Sequence, residues 1–294
     1  MTKRIAILTP DPASEGYQTR WRDVLDRNAE PLRGAGYEVA GRAWVGSTDL
    51  AEFDLVLPLL VWGYPFVPEQ WAEAVGRWEA EGVRLRNPPS VLRWNADKSY
   101  LGTLAGRGAP VVPTLYADRL STGELEEAAR QFGTTELVAK PRISSSGWQT
   151  IRWAPGGSIE GGPAKAAMIQ PYLRDIETGG EVSLFYFGGR YSHAVSKRPQ
   201  PGEFRVQPEY DGIIRPYQPA PDEFEAAERI LAAVEEQLLY ARVDLVRGLS
   251  GDPQLIELEL IEPDLYLSYD AKGGEHFASA VAELIGLSGS LIRS

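Results

Sequence analysis

Apolar residues along this chain fall into short continuous runs and longer helix-spaced stripes, and the order of the two changes midway. Residues 4–9 (RIAILT) form an apolar run that ends in the turn-rich Pro10-Asp11-Pro12, the pattern of a parallel strand buried on both faces. Residues 21–36 carry apolar positions at helical spacing and stop at Gly34-Ala35-Gly36, a C-terminal cap signal. Residues 37–44 and 53–61 (FDLVLPLLV) predict two further strands, and 68–81 a helix with Trp71 and Trp78 on one face. Strands alternating with helices predict a parallel α/β lobe over residues 1–95.

The middle of the chain reads differently. Residues 98–106 and 122–132 predict short helices, with an extended stretch at 110–116 between them. A strand at 136–141 (ELVAKP), a polar turn at 143–150 (ISSSGWQT), a glycine-rich loop at 156–162 and a strand at 167–172 (AMIQPY) complete a central lobe, 96–172. From 173 to 294 the pattern becomes strand-rich. Strands 181–187 and 190–197 meet at Gly188-Gly189, and strands 240–246 and 254–261 at Gly251-Asp252-Pro253. Helices at 221–239 and 276–285 pack with them, so the fold class combines α/β with α+β.

Composition narrows the function classes. A length of 294 residues suits two or three lobes, and 43% hydrophobic with 24% charged residues is ordinary for a globular protein. The net charge of -11 argues against a general nucleic-acid binder. With no cysteine and two histidines, disulfides, thiolate zinc sites and thiol nucleophiles are excluded. The N-terminus, residues 1–9, has no apolar run of signal-peptide length and no stretch approaches membrane-spanning length, so the expectation is a cytoplasmic protein with no membrane partner.

The candidate chemistry lies in a few charged positions. Glu257 and Glu259 (LIELELIEP) share one face of a strand, and Asp244 (YARVDLV) can point to the same face from the preceding strand. Three converging carboxylates suit a hard cation such as Mg²⁺. By itself, however, such alternation fits a half-exposed hairpin better. Lys140 ends a strand beside the small-residue turn Ser144 to Gly147, where a lysine and turn N–H groups can hold phosphate, but no P-loop motif is present. Taken singly, Lys140 and Lys98 (NADKSYL) both read as surface lysines.

In order and spacing, these pieces together resemble the ATP-grasp superfamily, on the glutathione synthetase and ribosomal-S6-modifying side. That resemblance implies a central lid lobe and roles for the following residues. Lys98 and Lys140 would be the two nucleotide lysines, and residues 143–150, with Ser145, Ser146 and Gly147, the phosphate-covering loop. Gln170, Pro171, Tyr172 and Leu173 would form the adenine hinge, and Asp175 or Glu181 would hold the ribose. Arg205, in GEFRVQ, would lie near an acyl phosphate, and Asp244, Glu257 and Glu259 would carry Mg²⁺, with Glu259 replacing a common Asn. The loop has one glycine where relatives often have several. The strings WNADK, FGGRYSHAV and LELIEP are most similar to a bacterial secondary-metabolism subgroup that includes the cyclo-ligase of the D-cycloserine pathway.

The resemblance implies an ATP- and Mg²⁺-dependent carboxylate–amine ligase that works through an acyl phosphate on a small amino-acid-like substrate. Ring closure within one molecule, peptide- or glutathione-type ligation between two, and a catalytically silent nucleotide-binding protein remain open alternatives. Tyr17, Arg20, Trp62 and Tyr64 follow the first and third strands, where open α/β sheets bind ligands, and are candidate substrate contacts. Lys197, Arg242 and Glu262 are further pocket candidates, while His193 reads as structural. An exposed aromatic face in the first lobe would permit a homodimer.

Overall fold

The structure is a computed structural model and describes residues 2–11, 20–200 and 212–291. The first sheet is parallel and has three strands, β1 (Arg4–Thr9), β2 (Glu38–Ala43) and β3 (Leu55–Leu57), in the order β2-β1-β3. Helix α1 (Arg20–Gly34) connects β1 to β2, and α2 (Pro68–Ala80) follows β3. The alternation of strand and helix produces this sheet as expected, but the third strand is shorter than the apolar run 53–61. Pro58 has no N–H to extend the ladder, and the chain turns so that Tyr64 donates to Val61 O at 3.3 Å. The tryptophans of this lobe do not form an exposed face. Trp44, Trp71 and Trp78 are buried and stack edge to face at 5.9 and 5.8 Å: the helical spacing of Trp71 and Trp78 directs both inward, where Trp44 at the end of β2 meets Trp71.

Helices α3 (Pro89–Asn95) and α4 (Tyr100–Gly106) lead out of this lobe. The sequence predicts a helix from residue 98, but the helix starts at Tyr100. The backbone N–H of Lys98 is taken by Arg142 O at 2.9 Å, and Asp97 caps Ser99 N at 2.9 Å. The second sheet is antiparallel: β4 (Leu115–Ala117), β5 (Leu137–Pro141), β6 (Ile151–Trp153) and β7 (Ala167–Pro171), in the order β4-β7-β5-β6. Helix α5 (Thr122–Phe132), capped by Ser121 and ended by Gly133 in the left-handed region, covers it.

A short helix α6 (Asp175–Thr178) leads to the third sheet, which is also antiparallel. Its strands are β8 (Glu181–Phe187), β9 (Arg190–Arg198), β10 (Ile213–Pro216), β11 (Tyr240–Arg247) and β12 (Pro253–Glu259), in the order β10-β9-β8-β11-β12. Helix α7 (Pro221–Ala232) packs on this sheet, and α8 (Glu275–Leu291) closes the described chain. The sequence predicts α7 to run on to residue 239. It stops early because Arg107 at the end of α4 donates to Ala233 O at 2.9 Å, an end cap supplied from elsewhere in the fold. β6, β10, α3 and α6 are too short to leave a periodic signal.

Candidate functional site

The third sheet presents one face crowded with charge. Glu181 and Ser183 on β8, Lys197 on β9, Arg242 and Asp244 on β11, and Glu257 and Glu259 on β12 all follow the two-residue period of the pleat. Asp244 lies opposite Glu257, and Arg242 opposite Glu259. A bulge at Ile256 bends β12 beside Glu257. The carboxylates of Asp244, Glu257 and Glu259 each offer an oxygen within 4.8 Å of the others.

Acids in such number need cations. Asp244, 1% exposed, accepts Arg242 Nε at 3.0 and 3.1 Å, Arg242 Nη2 at 2.8 Å, Lys197 Nζ at 3.4 Å and the Ser183 hydroxyl. Burial alone would raise its pKa, but Arg242 and Lys197 outweigh that and hold it well below the carboxylate range. Lys197 also pairs with Glu181, which burial raises against the pull of that lysine. Arg242 reaches Glu259 as well, yet burial still pushes Glu259 up to about 8. Lys98 pairs with Glu257 at 3.0 Å and donates to Ser144 O at 2.8 Å. Burial opposes ionisation of Glu257, but Lys98 and Lys140 lower it overall. Burial lowers Lys140. The set is one of hard oxygen donors converging on a point, with cations behind it, and it fits a divalent cation and a polyphosphate.

The two lysines are brought to this face by a cross-link. Asp97, next to Lys98, binds Arg142, two residues after Lys140, through a fork of 3.0 and 2.7 Å. The turn 143–150 begins there, and Ser145, Ser146 and Gly147 lie on it, with φ of 49° at Ser146 and 66° at Gly147. Gln170 is buried and donates to Thr114 Oγ1 at 3.0 Å. The Tyr172 hydroxyl donates to Glu177 at 2.6 Å, and Arg152 lies 3.8 Å over its ring. Leu173 and Pro171 are buried beside it, and Asp175 is exposed at the start of α6.

From the first lobe, Tyr64 is buried against Trp71 at 4.7 Å. Burial and the carboxylates of Glu262, Glu259 and Glu257 all raise its hydroxyl pKa. Glu262 holds a buried carboxylate oxygen without a hydrogen-bond partner among the described residues, and burial raises its pKa well above the usual range. Trp62 accepts the Trp44 indole on its carbonyl at 3.2 Å, and Arg20 is exposed at the start of α1. Tyr17 and Arg205 lie outside the described residues. His193 stacks on Phe185 at 4.4 Å and contacts Leu265 O at 3.0 Å, the surroundings of a core residue.

One group of site residues escapes a pattern-based reading. β12 is the edge strand of its sheet, and its outer edge is paired by side chains. Tyr100 Oη accepts Leu258 N at 2.8 Å, and Asn95 donates to Leu258 O at 2.8 Å and accepts Leu260 N at 2.9 Å. Asn87 donates to Leu260 O at 2.8 Å and Tyr240 O at 3.0 Å, and accepts Leu239 N at 2.8 Å. Lower on the edge, Pro110 O and Val112 N bond Leu255 at 2.7 and 3.0 Å. This ladder holds the backbone on either side of Glu257 and Glu259. Asn95 sits inside the WNADK string, the only sequence hint of it.

No family model matches the chain. The architecture is nevertheless that of the ATP-grasp ligases, which form C–N bonds using ATP, and the chain belongs to that family as an ATP-dependent, amide-forming enzyme. Within it, the chain falls in the DcsG-like subgroup. It is 30% identical over 266 residues to the cycloserine biosynthesis protein DcsG of Streptomyces lavendulae, covering 81% of this chain and 85% of that protein. The crystal structure of D-cycloserine synthetase DcsG matches with a TM-score of 0.81 and 26% identity, over 96% of this chain and 99% of that one. The D-alanine–D-alanine ligase from Bacillus anthracis shares the fold, with a TM-score of 0.67, 17% identity and 99% coverage of each chain.

Proposed function

We propose that the enzyme closes a ring amide within one small amino-acid-like substrate, with Mg²⁺ and ATP. The observation that carries this reading is the charged face, where Asp244, Glu257 and Glu259 converge in front of Lys98, Lys140, Lys197 and Arg242. The similarity to proteins named for cycloserine biosynthesis supports the cyclic product. Mg²⁺ would be held by Asp244, Glu257 and Glu259 and would neutralise phosphate charge.

The chain's own residues then have these tasks. Lys98 and Lys140 bind phosphate oxygens, and the turn carrying Ser145, Ser146 and Gly147 covers them. The hinge from Gln170 to Leu173 receives adenine, with Glu181 or Asp175 toward the ribose. A substrate carboxylate oxygen attacks the γ-phosphorus, and ADP leaves. The amine attacks the acyl carbon, loses a proton and displaces phosphate. Arg205 and Arg242 offset charge on the acyl phosphate. Tyr64, with Trp62 and Arg20, would line the substrate side, and Tyr17, outside the described residues, is assigned to it from the sequence alone. Glu262, with one buried carboxylate oxygen left without a hydrogen-bond partner among the described residues and its pKa raised by burial, would give up its proton when a substrate ammonium binds and then face it as counter-charge.

Opening the ring amide of cycloserine leaves an amino acid ending in an aminooxy group, so that compound is the test substrate. The expected products are ADP, phosphate and a cyclic compound lighter than the substrate by one water. A product containing two substrate units would establish the intermolecular reading. No substrate-dependent ADP would refute both.

A further inference from the structure

Two large aromatic side chains are left half in solvent yet touch each other across lobes. Phe66 is 52% and Trp148 45% exposed, with ring centroids 5.5 Å apart and planes at 83°. Phe66 ends the 3₁₀ turn Tyr64–Phe66, which also carries the buried Tyr64. Trp148 sits in the turn 143–150, whose start is fixed to Lys98 through Ser144. An edge-to-face pair is a directional contact between rings.

The shape of the second turn shows why an outside contact matters. Ser146 and Gln149, neither of them glycine, adopt φ of 49° and 51° around Gly147 at 66°. Side chains at such angles are strained, and the surroundings must hold them there. Within the turn, Trp148 N bonds Ser145 O at 3.1 Å and Thr150 N bonds Gly147 O at 3.2 Å. Outside it, Gln149 accepts Ala164 N at 3.3 Å. Those contacts hold the turn to its own lobe; the Trp148 ring holds it to the first lobe.

We infer that Phe66 and Trp148 form a clasp that couples the substrate loop to the turn over the nucleotide, so that ATP closure depends on an occupied substrate site. The inference rests on the proposed reading that Tyr64 faces the substrate and the turn faces phosphate. Both are positioning residues. Substrate that orders the Tyr64 turn also fixes Phe66, so the turn closes on ATP at less entropic cost. Linkage then requires ATP to tighten substrate binding by the same factor. A single aromatic pair supports a factor of roughly 2 to 10.

The test uses the whole enzyme as wild type and as F66A, W148A, F66A/W148A and F66Y. The readouts are ADP and cyclic amide released from ATP and the aminooxy amino acid, and the affinity for a non-hydrolysable ATP analogue with and without that amino acid. In wild type, the amino acid should tighten analogue binding by roughly 2- to 10-fold. Each alanine variant should lose that gain and release more ADP per amide formed, and F66A, outside the nucleotide turn, should keep the affinity measured without amino acid. The double variant should be no worse than either single, and F66Y should restore coupling. A general folding defect would instead weaken analogue binding in both conditions. The clasp is overturned if the variants keep the wild-type gain, or if the two single effects multiply in the double variant. A wild-type enzyme that forms no amide overturns the proposed reaction, and this inference with it.

Discussion

Replacing Arg242 by methionine exchanges a fixed cation for an apolar chain of similar length, takes the cation from Glu259 and, among the described residues, leaves Asp244 with only Lys197 and the Ser183 hydroxyl. Arg242 is buried and makes a three-bond fork to Asp244 at 2.8 to 3.1 Å, with a further contact to Glu259. Removing one partner from a buried ion pair costs about 3–5 kcal/mol, because the remaining charge stays desolvated. At about 2 °C per kcal/mol for a chain of this length, the melting temperature in EDTA should fall by on the order of 6–10 °C. Mg²⁺ should then act as a replacement counter-charge. At a free concentration about 100-fold above its dissociation constant, bound metal stabilises by about 2.7 kcal/mol. The variant should therefore recover roughly half to nine-tenths of its loss in Mg²⁺. It should also bind Mg²⁺ more tightly than wild type, where Arg242 competes for Asp244 and Glu259. Thermal melting with and without EDTA, together with calorimetric Mg²⁺ titration, measures both effects. If Arg242→Met melts within about 2 °C of wild type in EDTA, the pair is not holding the acids. If Mg²⁺ stabilises neither protein, the acids are not a metal site.

Three further outcomes follow from the same geometry. Asn95→Leu removes both bonds that Asn95 makes to the β12 backbone, at about 1–3 kcal/mol for each buried group left unsatisfied; urea denaturation should show the loss, and an unchanged midpoint would mean the edge is held without it. Lys140→Ala should weaken ATP binding by roughly 10- to 100-fold, the worth of one charge-assisted hydrogen bond, and equal affinity by calorimetry would remove its phosphate role. Glu262 has a folded pKa raised above its reference of 4.5, so the folded protein retains a proton that the unfolded chain has lost. Stability should thus be greatest below pH 4.5 on this account and decline as pH rises above it, by up to about 1.4 kcal/mol per pH unit. Glu262→Gln should flatten that decline while weakening substrate binding, and an unaltered pH slope would show that Glu262 is not the group responsible.

The sequence by itself determined the local elements that hydrophobic period and turn chemistry dictate. β1, α5, the β8–β9 hairpin and the β11–β12 pair form where Gly, Pro and alternation place them, because those choices depend on neighbours a few residues away. It also placed Glu257 and Glu259 on one face, since the pleat guarantees it. Tertiary structure decided what that face does. Alternating acids on an isolated hairpin would face solvent; here Lys98 arrives from α4's approach and Lys197 from β9 to join Arg242 of the hairpin itself, with Asp244 buried and Glu257 and Glu259 half-buried among them. The ends of α4 and α7 were set by Arg142 and Arg107, partners distant in sequence. Asn87 and Asn95 act as an edge for β12, and no periodicity could announce it, because a side chain replacing a strand leaves no repeat. Local sequence thus places the carboxylates, and long-range packing of opposite charge makes them a site.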